Sequence, residues 1–91
     1  MAVEVQLPSQ LRAFVGGASK LSMEATTIAG LIEALTSQHA GLKERLLEPD
    51  GELRRFVRIF VNEEDIRFLQ DAKTPLAPGD TVAIVPAIAG G

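Results

Sequence analysis

The chain has 91 residues, of which 46% are hydrophobic, and its formal net charge is −3. This length and hydrophobic content suffice for one compact core and predict a single domain. Acidic and basic residues interleave without a block of like charge, which argues against a nucleic-acid partner. Because the chain has no cysteine, a disulfide framework, a thiol nucleophile and a thiolate metal site are excluded.

The first residues, MAVEVQLPSQ, carry neither the basic start nor the apolar core of a signal peptide. No apolar run approaches the length that a membrane-spanning helix needs. We therefore expect a cytoplasmic protein without a membrane partner.

The N-terminal stretch has the pattern of two strands. Residues 2–7 alternate between apolar and polar side chains, which predicts a half-buried strand. A flexible turn at Gly16 and Gly17 leads to KLSME, which alternates again. These two stretches predict a hairpin with a long, irregular connection through SQLRAFV.

The segment TTIAGLIEALTSQHAG changes to the helical period. Its apolar residues recur at i, i+3, i+4 and i+7, which predicts an amphipathic helix. The predicted buried stripe is Ile28, Leu31, Ile32 and Leu35. Thr26 or Thr27 is expected to cap the start of this helix. Gly41 is expected to end it in a left-handed conformation.

The C-terminal half predicts further strands. A short helical turn around residues 43–47 and a loop at PDG precede FVRIFVN, which is rich in β-branched and aromatic residues and predicts a strand. NEEDIRFL predicts a tight acidic turn and a short edge strand through Ile66 and Phe68. In APGD, Pro78 and Gly79 suit the central positions of a type II turn, which leads to a last strand at residues 81–86.

Two strands, one helix and further strands predict an α+β domain, in which one main helix covers one face of a mixed sheet. This pattern resembles the β-grasp, or ubiquitin-like, fold, in which the first strand lies centrally and pairs in parallel with the last. We expect residues 1–86 to form this domain and residues 87–91 to form a flexible tail that ends in two glycines.

The assembled pieces resemble a known family, the ubiquitin-like sulfur carriers of the MoaD/ThiS type. The pieces are LRAFVGG after the first strand, TTIAGLIEAL, IFVNEEDI, LAPGDTVAIVP and the terminal Gly90 and Gly91. The family includes the small subunit of molybdopterin synthase and the thiamine sulfur carrier. The closing VPAIAGG and the extended ERLLEPDGELRRFVRIFVNEEDIRF look most like the actinobacterial carriers that supply sulfur for cysteine synthesis. The insertion between helix and strand is longer than we expect of a thiamine carrier.

The resemblance implies a carrier with no catalytic residue and no bound cofactor. An E1-like adenylating enzyme would use ATP to activate the carboxylate of Gly91, and a sulfur donor would convert it to a thiocarboxylate. A sulfur-accepting biosynthetic enzyme, of the cysteine synthase type, would then take the sulfur. Two alternatives need the same free glycine carboxylate: the small subunit of molybdopterin synthase, and a ubiquitin-like modifier joined to lysines.

The tail residues suit this chemistry. Gly91 presents its acyl carbon without a Cβ beside it, and reaction at a carbonyl needs an unhindered approach. Gly90 and Ala89 are slim, and residues 86–91 could extend by roughly 18 to 20 Å, enough to enter a narrow channel while the domain docks outside.

A docking surface is predicted from the strand FVRIFVN. The face of this strand that packs against the helix is expected to consist of Val57, Ile59 and Val61. Arg58 and Phe60 would then lie on the open sheet face beside Ala83 and Val85, where an apolar patch rimmed by charge favours a protein interface. Alternatively, Phe60 packs under the insertion. Arg12 resembles a family position near the partner surface, or it is a solvated turn residue.

No metal site is predicted. His39 is the only histidine, has no neighbour placed as a co-ligand, and reads as a surface residue at a helix end. Glu63, Glu64 and Asp65 lack the spaced oxygen ligands of a calcium loop, so a solvated turn is the better interpretation.

Overall fold

One mixed sheet forms the frame of the computed structural model, which describes residues 2–54 and 57–86. Its elements are β1 (Val3–Gln6), α1 (Ser9–Arg12), β2 (Lys20–Met23), α2 (Ile28–Gln38), α3 (Ala40–Leu46), β3 (Val57–Val61), β4 (Glu64–Asp65) and β5 (Thr81–Pro86). Short 3-10 helices span Ala13–Val15, Ile66–Phe68 and Asp71–Lys73. The strand order is β2-β1-β5-β3-β4, with β1 and β5 parallel and the other pairs antiparallel. The predicted α+β, β-grasp arrangement is confirmed, and β5 is its middle strand.

The core lies between the sheet and the helices. Each long strand buries alternate residues on the helix side, as the period of two requires. The buried strand residues are Val3, Val5, Met23, Val57, Ile59, Val61, Val82 and Ile84. The expected burial of Val57, Ile59 and Val61 on the helix side of β3 is therefore confirmed. The other side of β3 belongs to the open face of the sheet.

Helix α2 supplies the opposite side of the core. All four residues of its predicted apolar stripe are at most 5% exposed. The side-chain Oγ1 of Thr27 accepts a hydrogen bond from the backbone N–H of Gly30 at 3.1 Å, which caps the helix start. The prediction of this helix and of Thr27 as one of its two candidate caps is confirmed.

The predicted role of Gly41 is wrong. Helix α2 ends at Gln38, and Gly41 lies inside the next helix, α3, without a positive φ. A Cβ at this position would come within 2.6 Å of Cδ1 of Phe14. Glycine is needed here because α3 packs closely on the segment that contains Phe14, a contact between distant parts of the chain.

The predicted edge strand through Ile66 and Phe68 is also wrong. Strand β4 consists of Glu64–Asp65 alone, and the chain then turns into the 3-10 helix Ile66–Phe68. A carboxylate oxygen of Asp65 accepts from the N–H of Arg67 at 2.9 Å and so caps this helix. In a strand Ile66 and Phe68 would share a face, whereas the 3-10 turn leaves them 4% and 85% exposed.

Two turns at one end of the sheet are joined by hydrogen bonds. Gly79 has φ +87°, and the N–H of Asp80 donates to the carbonyl of Ala77 at 3.1 Å, as the predicted type II turn requires. The amide nitrogen of Asn62, in the turn after β3, donates to the Asp80 carboxylate at 3.0 Å. The N–H of Ala77 donates to the other carboxylate oxygen of Asp80 at 2.8 Å. These two bonds, that from Ala77 first, lower the pKa of Asp80.

The described part of the chain contains neither a membrane-spanning helix nor a cluster of metal ligands. No helix found there is long and apolar enough to cross a bilayer; α2 has 11 residues. Within residues 2–54 and 57–86, no group of three or more His, Asp or Glu side chains could hold a metal ion. His39 is half-buried at the junction of α2 and α3.

Candidate functional site

The last strand runs through the middle of the sheet toward the predicted reactive end. Strand β5 lies between β1 and β3 and ends at Pro86, which pairs with Val57. The candidate residues Ala89, Gly90 and Gly91 follow in the sequence and lie outside the described residues. The described part of the site is therefore the sheet surface around the end of β5.

Cross-strand pairing brings the candidate interface residues together. Arg58 lies opposite Val85, and Phe60 lies opposite Ala83. Since Val82 and Ile84 point into the core, Ala83 and Val85 share the open face with Arg58 and Phe60. Val85 is 43% exposed, unusual for a valine in the middle strand of a sheet. The predicted placement of these side chains is confirmed.

Phe60 is half-buried on the open face and lines no pocket with the described part of the insertion, residues 47–54. It lines a shallow pocket whose other residues come from strands β1 and β5 and from the turn after β3. These residues are Gln6, Asn62, Glu63, Thr81 and Ala83. The insertion's Leu47 and Leu53 line a groove beside α2 instead. Phe60 is thus partly accessible on the open face.

Arg12 lies at the margin of the same surface. Its Nε donates to the carbonyl oxygen of Leu7 at 3.1 Å, which ties the side chain to the end of β1. Arg12 and Val85 line one depression of about 370 Å³, together with Lys20 and Ala83. The structure therefore brings all four described candidates, Arg12 included, to one side of the molecule.

Lys20 was not predicted as part of this surface. It lies opposite Gln6 in the β1–β2 pairing, and Gln6 in turn lies beside Ala83 of β5. The alternation in KLSME predicts that Lys20 points away from the core. Only the strand order shows that it reaches the neighbourhood of Val85.

The surface around Val85 is locally basic although the chain is acidic. Arg12, Lys20 and Arg58 surround it, and none of them forms an ion pair with another residue in the described ranges. The nearby Glu4 accepts a hydrogen bond from the Gln6 amide at 3.0 Å. Unpaired basic groups around an exposed apolar residue suit an acidic protein surface.

Comparison with known proteins agrees with this geometry. The model of the ThiS family matches residues 5–91. The chain belongs to the ThiS family. The sulfur carrier protein CysO of Mycobacterium tuberculosis is 43% identical over 93 residues, and the alignment covers 100% of each chain. Small archaeal modifier protein 3 of Haloferax volcanii is 34% identical over 65 residues, which is 71% of this chain and 70% of that protein.

A solved structure extends the similarity to the fold. The crystal structure of the Amycolatopsis orientalis BexX/CysO complex matches with a TM-score of 0.89 and 39% identity, covering 99% of this chain and 100% of that chain. The resemblance to ubiquitin-like sulfur carriers is confirmed. The chain is a small sulfur carrier protein of the CysO type rather than an enzyme.

Proposed function

We propose that this chain carries sulfur as a thiocarboxylate on Gly91 and donates it in the cytoplasm for the synthesis of cysteine. The observation that carries the proposal is the full-length similarity to CysO in a chain whose middle strand leads directly into a terminal AIAGG. The fold supplies a rigid platform, and the six residues from Pro86 onward could span roughly 18 to 20 Å to a partner's active site.

The proposed chemistry has two steps. The Gly91 carboxylate attacks the α-phosphorus of ATP, so that an acyl-adenylate forms and pyrophosphate leaves. A hydrosulfide-equivalent donor then attacks the acyl carbon, the C–O bond to AMP breaks, and the thiocarboxylate remains. The first step is needed because a free carboxylate is a poor electrophile until it becomes a mixed anhydride. The ATP for this step is bound by the partner enzyme.

The open face around Val85 is the proposed docking surface for an E1-like adenylating enzyme and for a sulfur-accepting enzyme of the cysteine synthase type. Its exposed valine, its half-buried Phe60 and three basic side chains that form no ion pair with another described residue favour a partner surface with an apolar centre and an acidic rim. A CysO that is 39% identical to this chain forms a complex with BexX, which supports docking through this fold.

The proposal is tested by the intact mass of the protein after incubation with ATP, sulfide and a candidate adenylating enzyme. We expect a mass gain equal to the replacement of one oxygen by sulfur. A chain that lacks Gly91 is the matched control and should show no gain. An unchanged mass of the full chain, with an activator that is active on its own carrier, would contradict the proposal.

A second function, covalent attachment to lysines of other proteins, is favoured by the similarity to small archaeal modifier protein 3. It uses the same activated carboxylate but a lysine amine in place of the sulfur donor. Isolation of tryptic peptides that carry the chain's C-terminal residues on lysine separates the two. Such conjugates without a thiocarboxylate form would favour the modifier function.

A further inference from the structure

A groove runs along α2 on the side of the molecule away from Val85. Its volume is about 890 Å³, and it shares no lining residue with the two depressions on the open face. Its apolar lining is contributed by α2, α3, the insertion and the two 3-10 turns after β4. The apolar residues that line it are Ile28, Ala29, Ile32, Ala40, Leu47, Leu53, Ile66 and Ala72. The three isoleucines are at most 5% exposed, so the accessible apolar surface comes from the half-buried Leu47 and Leu53 and from the exposed alanines. The groove is therefore a second, separate concave surface.

One wall of the groove is the insertion, residues 47–54, and this wall is held in place by several bonds. Leu47 and Leu53 form an antiparallel bridge. The Arg54 guanidinium contacts the Glu48 carboxylate at 2.9 Å, and Arg54 Nε donates to the carbonyl of Glu44 at 2.8 Å. The backbone N–H of Arg54 also donates to the carbonyl of Leu46 at 2.9 Å. The wall is thus preformed and anchored to α3.

The opposite wall is the segment that contains the 3-10 helix Asp71–Lys73. The Oγ1 of the buried Thr74 accepts from the N–H of Gln70 at 3.0 Å, and the carbonyl of Thr74 accepts from the N–H of Ile28 at 3.1 Å. These bonds tie this wall to the start of α2. Both walls are therefore held by hydrogen bonds to the helices α3 and α2. This lowers the conformational entropy that the groove loses when it binds a ligand.

The rim of the groove is acidic. Glu33 lies on α2, Glu52 on the insertion and Asp71 on the opposite wall, and all three are exposed. None of their carboxylates forms a hydrogen bond or ion pair with another residue in ranges 2–54 and 57–86. Lys43, in the middle of α3, is the only basic residue among the described residues that line the groove. Basic groups on both flanks of a ligand would match this rim.

The secondary structure of the lining indicates the shape of the ligand. The described lining residues come from helices, 3-10 helices and the insertion, so none of them offers an open strand edge to an extended peptide. A helix satisfies its own backbone and needs only an apolar stripe. Helix α2 has 11 residues, and at the usual rise of 1.5 Å per residue it is about 16 Å long, room for roughly three turns of a partner helix.

We propose that this groove docks an amphipathic helix of a partner protein, with an apolar stripe at i, i+3, i+4 and i+7 flanked on both sides by Lys or Arg. This inference goes beyond the sulfur-carrier function and does not depend on the chemistry at Gly91. Because the groove and the open face are separate, a partner helix binds here while the tail is engaged elsewhere.

The test uses two helix-stapled peptides of about four turns. Both have leucines at the stripe positions; one has lysines on its flanks and the other has glutamates. Binding to the isotope-labelled full chain is followed by chemical shifts and fluorescence anisotropy. We expect the lysine peptide to bind at least tenfold more tightly, to shift resonances of groove residues such as Ser37, Leu53 and Ala72, and to lose part of its advantage at high salt.

The variant E33K/E52K provides the second arm, since both residues are exposed and neither carboxylate has a partner within the described residues. It should reverse the preference toward the glutamate peptide. Glu44→Lys is the control, because Glu44 is also exposed but does not line the groove; this variant should retain most of the preference for the lysine peptide. Equal binding of the two peptides, shifts centred on Val85, or no binding would overturn the proposal. Self-association that E33K/E52K abolishes would assign the groove to a second copy and also overturn it.

Discussion

The two accessible sides of this domain are built in different ways. The open sheet face is made by neighbouring strands, so its members follow from the alternation of side chains along each strand and from strand order. The groove beside α2 is made instead by α3, the insertion and residues 66–72, which pack on one helix without the regular pairing of a sheet. The first side is basic around Val85 and the second is acidic at its rim. A small acidic carrier can thus present two surfaces of opposite local charge to different partners.

The largest expected effect is a loss of stability when a residue on the buried side of β5, and not one on its open side, is truncated. Ile84 is 1% exposed and its neighbour Val85 is 43% exposed. Ile84→Ala should lower the free energy of unfolding by about 2 to 5 kcal/mol, because it leaves a cavity in the core. Val85→Ala should cost less than about 1 kcal/mol, as exposed positions usually do. Urea denaturation of both variants checks this, and equal losses would contradict the assignment of the two faces.

The second prediction concerns the docking role of the open face. Phe60→Glu should reduce kcat/KM for adenylation at least tenfold, or about 1.4 kcal/mol, because it places a carboxylate in the apolar centre of the proposed interface. Phe68→Glu, at an 85% exposed phenylalanine outside the proposed surface, is the matched control. Circular dichroism should show both variants folded. Unchanged adenylation kinetics of Phe60→Glu would refute the placement of the interface.

The third prediction tests a close contact on the helix side. Gly41→Ala should destabilise the chain by about 1 kcal/mol, because overpacking against Phe14 outweighs the better helix propensity of alanine. In a Phe14→Ala background the same substitution should instead be neutral or stabilising. Thermal unfolding of the four proteins closes this double-mutant cycle, and a cost independent of Phe14 would argue against the contact.

The smallest expected effect is the contribution of Asp80 to the pH dependence of the free energy of unfolding. Its pKa is lowered in the folded chain, first by the N–H of Ala77 and then by the Asn62 amide. The stabilisation is therefore present above the unfolded-state pKa and is lost as the pH falls through the lowered, folded-state pKa. The stability difference between the wild type and Asp80→Ala should shrink over this acidic range. A stability difference that does not change with pH would show that Asp80 does not contribute to the pH dependence of stability.

Some of the sequence expectations failed for a common reason. Gly41 follows a helical stripe and so has the local signature of a helix end, yet its real constraint is the ring of Phe14, 27 positions earlier in the chain. Ile66 and Phe68 alternate like strand residues, but the carboxylate of Asp65 caps a 3-10 turn instead. In each case a specific side-chain contact overrode the local pattern, and such contacts have no period in the sequence.

The sequence by itself determined the class of fold, the stripe of α2, the alternation along β3 and β5, and a terminal pair of glycines, because these are local or periodic features. The tertiary structure decided which exposed side chains are neighbours. Lys20 reaches the surface near Val85 only through the strand order, and Glu33, Glu52 and Asp71 surround one groove only because distant segments pack on α2. Surface patches depend on packing between segments, and no periodicity within one segment encodes that.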